Sequence, residues 1–403
     1  MTALPGALIL GADRAIGLTL VRELGGHGVP VHAVTREGGI GGASRFCVGT
    51  LDRPEGPLSQ WLPAMIARTG AGAVFAISET DLVALAQLPP MIGDCDILTP
   101  RAEPLGRTLD KSRTLAIAAD IGLRVPRSWQ PRATDDFAAR AAAETYPLVA
   151  KWSNPPEILP MLERVGLEWL KTEYLRSPQE LLALIERYRP IGRWPLIQQY
   201  CSGVGVGQMI HMEAGQATLR FQHRRLHEWP PEGGISTLCQ AEPPDRHRDQ
   251  MLLSEALLRA LDWQGPAMVE YRYESQSDRY WLMEVNGRFW GSLPLAWHCG
   301  AHFAWEQYRR AVLGQRDPPP LPRHDLHARY MVPETKRLVR LWLGRGRIRD
   351  PYFNAGALAA LLGYVIGFFD PRMRYYVFTW SDPRPWARDL WQMMRKVLRR
   401  GKR

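Results

Sequence analysis

Four residues in the third quarter of the chain carry types and spacing suited to phosphate and metal chemistry. Glu270 stands in Ala267-Met-Val-Glu270-Tyr-Arg272, and Glu284, Asn286 and Arg288 stand in Leu282-Met-Glu284-Val-Asn286-Gly-Arg288. Both runs read as strands, whose side chains alternate between faces, so Glu284, Asn286 and Arg288 share one face while Met283 and Val285 take the other. The polar connection at residues 274–279 centres near Ser277, seven residues from each glutamate. A regular hairpin then sets Glu270 directly across from Glu284, with Cβ atoms about 5 Å apart. Two facing carboxylates repel unless a cation lies between them. With the amide oxygen of Asn286 they make a hard-oxygen set suited to Mg²⁺, and an arginine on the same face suits a phosphate. The alternative is a solvated face on which the glutamates point into water.

Other segments are weaker. Gly11-Ala-Asp-Arg-Ala-Ile-Gly17, between a strand and a helix, resembles the nucleotide turn of short-chain dehydrogenases, where glycines admit a pyrophosphate to a helix N-terminus. That family holds its proton-transfer group with a Tyr-x-x-x-Lys pair. The residues four before Lys111, Lys151, Lys171, Lys336, Lys396 and Lys402 are Arg107, Pro147, Leu167, Val332, Gln392 and Leu398, so the chain offers no such pair. In Phe221-Gln-His-Arg-Arg-Leu-His-Glu228, alternation places Gln222, Arg224 and Leu226 on one face and His223, Arg225 and His227 on the other. Arg225 is favoured over Arg224 as the phosphate-facing cation, and a basic surface hairpin is the alternative. Ser78-Glu-Thr-Asp81, directly after a strand, reads either as a substrate-binding edge or as the N-cap of a helix beginning near Leu82.

The elements that must position these groups fall into three stretches. Residues 7–10, 29–34 and 73–77 are buried apolar strands alternating with helical segments, the pattern of a parallel sheet covered by helices on both faces. Near Thr108 the texture changes. Residues 110–120 form an amphipathic helix, 146–152 a strand, 178–189 a helix and 195–200 a strand. From Met209 the chain is strand-rich, at 209–212, 217–221, 267–273 and 280–285. The Pro-rich residues 317–322 read as a linker. Residues 355–369 are uncharged and mostly apolar. A helix of that length spans about 22 Å, short of the roughly 30 Å of a bilayer core, so a buried or interfacial helix is expected. Asp382-Pro-Arg-Pro385 breaks the tail into at least two pieces.

Length and composition bound the rest. At 403 residues and 45.7 kDa, with 45% hydrophobic and 23% charged side chains, the chain allows two or three ordinary globular domains. The five cysteines are scattered, which argues against a disulfide framework or zinc ribbon and for a reducing cytosol. No charged n-region precedes an apolar run, so no signal peptide is expected. The net charge of +10 is uneven, because residues 331–403 hold 16 basic and 5 acidic side chains while the body is nearly neutral. That tail, with tryptophans among its arginines, suits an anionic membrane surface, and a packed helical appendage is the alternative. RNA would suit the tail's composition nearly as well, but nucleic acid is not the partner expected of the near-neutral body.

The order of motifs over residues 108–310 resembles the ATP-grasp superfamily, in its carbamoyl-phosphate synthetase-like branch. Asp110-Lys111 opens a helix as in that family's first ATP-contacting segment. Pro147-Leu-Val-Ala-Lys151 is similar to the strand carrying its second lysine, and Leu196-Ile-Gln-Gln-Tyr200 to its hinge. The resemblance implies a doubly wound preATP-grasp domain at residues 1–107 and a two-lobed α+β ATP-grasp domain at 108–325. The lobes would divide at 108–200 and 201–325, with a basic helical accessory region at 326–403. It implies Lys111 and Lys151 on the α/β-phosphates and Gln198, Gln199 and Tyr200 against adenine. It further implies Mg²⁺ (Mn²⁺ able to substitute) on Glu270, Glu284 and Asn286, with Arg288 and Arg225 at the transferring phosphoryl group. The activity implied is an ATP-dependent carboxylate–amine or related ligase working through an acyl phosphate on small-molecule substrates. It would be cytoplasmic, peripheral at the inner membrane face. A non-catalytic ATP sensor recruited to a membrane is the alternative, motivated by two departures. Residues 154–174 carry Pro155-Pro156 and helical material instead of a glycine-rich loop, and Val204-Gly205 stand where the family often places a ribose-binding glutamate.

Overall fold

The computed structural model describes residues 3–36, 38–152, 155–170, 172–231, 233–344, 346, 348, 350 and 353–400. The first stretch forms β1 (Gly6–Leu10), α1 (Ala15–Gly26), β2 (Val31–Thr35), β3 (Cys47–Asp52), α2 (Leu58–Thr69), β4 (Ala71–Ala76), α3 (Glu79–Leu85), β5 (Met91–Ile92) and β6 (Cys95–Ile97). They make a six-stranded sheet in the order β3-β2-β1-β4-β6-β5, parallel except for the β5–β6 pair. β1 is buried along its whole length, which explains its unbroken apolar run in a sheet covered on both faces. The helix expected from Leu82 begins instead at Glu79, because the Ser78 hydroxyl caps it by accepting from the Asp81 backbone N–H.

A connecting pair, α4 (Ala102–Leu109) and α5 (Lys111–Asp120), leads into a small lobe. It comprises β7 (Ser128–Trp129), α6 (Phe137–Ala143), β8 (Leu148–Lys151), α7 (Pro155–Arg164), β9 (Glu173–Leu175), α8 (Pro178–Tyr188) and β10 (Leu196–Gln199). Its four strands are antiparallel, in the order β7-β10-β8-β9. The capping carboxylate of Asp110 accepts from the backbone of Ser112 and Arg113, which sets the start of α5 and therefore the position of Lys111.

The third body is a seven-stranded sheet. In chain order it contains β11 (Val204–Glu213), β12 (Gln216–Trp229), β13 (Ile235–Ala241), α9 (Arg248–Ala260), β14 (Gly265–Glu274), β15 (Arg279–Asn286), α10 (Leu293–His298), α11 (Phe303–Ala311) and β16 (His327–Arg329). It ends with α12 (Met331–Leu343), α13 (Ala357–Ile366), β17 (Met373–Tyr375) and α14 (Arg384–Arg400). The strand order is β15-β14-β11-β12-β13-β16-β17. β11 and β12 run well beyond the strands expected from their apolar cores.

The tail differs from the helical appendage expected of it. β16 pairs with β13 and β17 with β16, so the tail extends the large sheet. Asp382 then plugs into the first domain, accepting from Arg22 Nε at 3.0 Å, Ser44 Oγ at 2.6 Å and the Arg45 backbone at 3.0 Å. α14 starts two residues later, after Pro383. Residues 355–369 form only the ten-residue α13, and none of its residues is buried, so the buried alternative is overturned.

The hydrophobic cores divide differently from the sheets. Ala7, Ile9 and Phe75 of the first sheet share one cluster with Met209, Phe221, Leu293 and Phe303. On the other face Leu8, Leu10 and Val74 share a second with Leu115, Val206, Ile210 and Leu282. The small lobe has its own core, around Leu148, Leu184, Tyr188 and Ile197. First domain and large sheet are thus welded together, and the small lobe sits on them as a separate body.

Candidate functional site

A cleft of about 1540 Å³ runs where the three bodies meet, and every candidate side chain named from the sequence lines it. Its floor is β14 and β15. Glu270 pairs with Glu284 across the hairpin, as expected, but not through a regular ladder: Glu274 pairs with Arg279 at the turn, and a register shift between Glu270 and Tyr271 adds the residue that brings Glu284 opposite. Asn286 Nδ2 donates to Glu284 Oε1 at 3.0 Å.

Cations surround the two carboxylates. Arg225, from β12, forms an ion pair with Glu270 and lies 3.8 Å from Glu228, which in turn pairs with Arg272 at 3.2 Å. Gly205 on β11 makes this possible, because a Cβ there would meet Arg225 Cδ at 2.8 Å. Arg225 thereby lies flat across the neighbouring strand towards Glu270. Arg224 points to the opposite face and pairs with Glu242. Register shifts around Arg225–Glu228 mark a bulge, which breaks strict alternation and brings Glu228 round to the Arg225 side. His227 turns instead to Glu334 of α12, 2.6 Å away.

The electrostatics follow from burial opposed by these neighbours. Burial pushes the Glu270 carboxyl up; Arg225 opposes this, and Glu284 and Glu228 reinforce the rise. For Glu284 burial is outweighed by Lys111, the Asn286 hydrogen bond, Arg225 and Lys151, leaving it below the usual carboxylate range. Lys151 is pushed down to about 8, by burial first and by Lys111 second, with Glu284 opposing. Both lysines therefore point their charge at the place where Glu284 sits.

The donor set suits a hard divalent cation. Among the described residues no group of three or more His, Cys, Asp or Glu side chains has a metal-site arrangement, so the third oxygen has to come from an amide such as Asn286. The pair of facing carboxylates, one of them raised by burial and further by the other, is the condition a bound cation relieves.

The segment expected to be the hinge lies opposite. β10 pairs with both β7 and β8, and the Gln198 side chain donates to Ser128 Oγ at 3.0 Å. Gln199 accepts from the Arg127 backbone at 3.4 Å, and the Tyr200 ring lies 6.0 Å from that of Tyr174. Trp152 and Trp169 also line this end, and their indole N–H groups are buried without acceptors among the described residues.

Arg288 reaches away from the glutamates to Glu79 at the start of α3, at 3.0 Å. It thus bridges the hairpin and the first domain, whose strand edges contribute Asp13, Arg14, Arg36 and Arg53 to the same cleft. Arg53 clamps Asp81 through two hydrogen bonds of 2.9 and 2.5 Å. Gly233 to Ser236 and Gly291-Ser292 line the cleft as well, whereas Thr237 is buried against Glu334 at 2.5 Å.

Several lining residues lie outside the sequence-derived set. Arg272 shares the Glu270 face two residues on, and alternation alone signals it. Glu228 was hidden by the bulge. Arg337 and residues 353–355 come from the tail, which composition sets apart from the body, and no sequence signal links them to the site.

No family model matches the sequence, and no curated protein matches it. Solved structures match over most of the chain, and they define its class: this chain has the ATP-grasp fold. Similar structures include the biotin carboxylase domain of Hydrogenobacter thermophilus 2-oxoglutarate carboxylase, solved with MgADP, ADP and bicarbonate. That match has a TM-score of 0.60 and 14% identity, and covers 81% of this chain and 74% of that one. An L-amino acid ligase from Bacillus licheniformis matches with a TM-score of 0.56 and 14% identity, over 79% and 78% of the two chains. N5-carboxyaminoimidazole synthetase from Staphylococcus aureus, complexed with ADP, matches with a TM-score of 0.56 and 12% identity, over 80% of each chain.

Proposed function

We propose that the protein is an ATP- and Mg²⁺-dependent ligase that joins a carboxylate to an amine or related nucleophile. The observation carrying this reading is the facing Glu270–Glu284 pair, ringed by Lys111, Lys151 and Arg225 in one cleft of an ATP-grasp fold. Such folds serve the carboxylase and ligases named above, and the same chemistry fits these side chains.

In this reading Gln198, Gln199 and Tyr200 hold the adenine and the two lysines hold the α/β-phosphates. Glu270, Glu284 and Asn286 would hold Mg²⁺, which supplies charge neutralisation between the β- and γ-phosphates. A carboxylate oxygen of the substrate attacks the γ-phosphorus, and the bond to the β,γ-bridging oxygen breaks to release ADP. Arg225 and Arg288 stabilise the negative charge on the transferring group. The amine lone pair then attacks the acyl carbon of the acyl phosphate; phosphate leaves and the nitrogen gives up a proton. Residues 1–107 and 201–325 form the two walls that receive the substrates, and 108–200 the lobe that closes on ATP. We read residues 331–403, within the accessory region 326–403, as the part that brings this cytoplasmic enzyme to an anionic membrane surface.

Calorimetric titration with ATP at saturating Mg²⁺ tests the nucleotide site. Glu284→Ala is expected to weaken binding at least about tenfold, the cost of one lost charged contact. Undiminished affinity overturns the metal role. ADP release across mixed carboxylate and amine pools tests catalysis, and tight ATP binding with no turnover on any pair would leave a nucleotide sensor.

A further inference from the structure

α13 presents its apolar stripe to water. Leu358, Leu362, Val365 and Ile366 are 62%, 53%, 47% and 65% exposed, and Phe369 just beyond is 82% exposed. Their spacing puts them on one helical face. The other side is pinned: Arg329, buried in β16, donates to the Tyr364 carbonyl at 2.9 Å and lies 4.8 Å from the Tyr364 ring, while Tyr364 Oη meets Thr335 at 2.8 Å. The stripe is therefore held outward by a rigid base. Edge-to-face contacts continue the apolar surface from Phe378 to Trp380, which is 89% exposed, and to Trp386.

Basic side chains outnumber acidic ones sixteen to five in residues 331–403. Of the five acids there, Glu334 and Asp382 are buried in internal ion pairs, Asp370 is paired with Arg372, and Asp350 and Asp389 have interactions of their own. Lys336, Arg384 and Arg395 are exposed on the neighbouring elements. An apolar stripe flanked by exposed aromatics and exposed cations complements an anionic bilayer, whose headgroups meet the cations while the acyl boundary takes the stripe. A ten-residue helix is too short to cross, and no helix among the described residues is long and apolar enough to do so.

We infer that α13, with Phe369 and Trp380, is the surface that inserts shallowly into an anionic lipid bilayer, lying in its plane. This rests on the reading that residues 331–403 bring the chain to a membrane, and it adds which face makes the contact. Ala355 lines the catalytic cleft and α13 begins two residues on, so the docked chain holds the rim of its cleft beside the lipid.

The test is flotation of the full-length protein with phosphatidylglycerol vesicles and with phosphatidylcholine vesicles, at low and high salt. Wild type is expected to float with the anionic vesicles and to lose most binding in phosphatidylcholine. A Leu362→Ser/Phe369→Ser variant changes only exposed side chains and is expected to keep wild-type thermal stability and ATP affinity while its vesicle partition falls at least about tenfold. If wild type floats and the variant floats equally, the stripe is not the docking face and the membrane reading stands on the cations alone. If wild type stays soluble with both vesicles, both readings fall.

Discussion

Lys151 ends β8 inside the cleft, where burial first and the charge of Lys111 second set how the site responds to pH. Its ammonium group loses its proton near pH 8, against an ordinary value of 10.5, because burial and Lys111 both disfavour the charged form. Phosphate prefers the ammonium form. As pH rises through about 8, free protein loses that proton, so ATP affinity is expected to fall and ATP binding above pH 8 to draw a proton from solution. Titrations at pH 7, 8 and 9 in buffers of different ionisation enthalpy would show the uptake, and Lys151→Gln should abolish it. Arg225 makes the second residue-scale case. Replacing it by Ala leaves Glu270 and Glu284 facing each other without the guanidinium, at a cost of about 3 kcal/mol. Mg²⁺ is then expected to raise the melting temperature of Arg225→Ala more than that of wild type; an equal response would argue against a cation site between the glutamates.

At the scale of elements, the tail is held by two buried polar anchors. Glu334 of α12 accepts from His227, Thr237 and Arg337, and that set leads Arg337 to the cleft wall. Asp382, leading into α14, binds Arg22 of α1, with both side chains almost completely enclosed. Removing one partner of such a pair strands the other charge. Asp382→Ala is therefore expected to cost roughly 3–5 kcal/mol, and Arg22→Met/Asp382→Leu to recover much of it, read by urea denaturation. A neutral outcome for Asp382→Ala would mean that the tail contributes little to holding the first domain.

Across the whole molecule, two cores join the first domain to the large sheet, and a third belongs to the small lobe alone. In the proposed ligase that separation would let the small lobe close over nucleotide while the rest stays fixed. Hydrogen exchange with and without ATP and Mg²⁺ is expected to show protection growing in β8–β10 and in α7, with little change in β1, β2 and β4. Equal protection in all three bodies would argue against lobe closure.

Local regularity made much of this protein legible in its sequence. Period-two alternation and a polar turn bring Glu270 and Glu284 to the same stretch of the hairpin, and a one-residue register shift between Glu270 and Tyr271 completes their pairing. A fully apolar run predicts β1, and the order of Lys111, Lys151, the hinge and the hairpin predicts the fold. These features depend on neighbours within a few residues, or on the order of such segments. What the tertiary structure alone decided involves residues far apart in the chain or departures from regularity. The bulge after Arg225 reversed the parity that would have excluded Glu228. The pairing of β16 and β17 turned a compositionally foreign tail into part of the sheet, carrying Arg337 into the cleft. The apolar residues 355–369 read as buried or interfacial with equal ease, because hydropathy measures the residues and not what covers them. Only the position of Tyr364 over Arg329, with the opposite stripe left to solvent, determined which face of that helix is exposed.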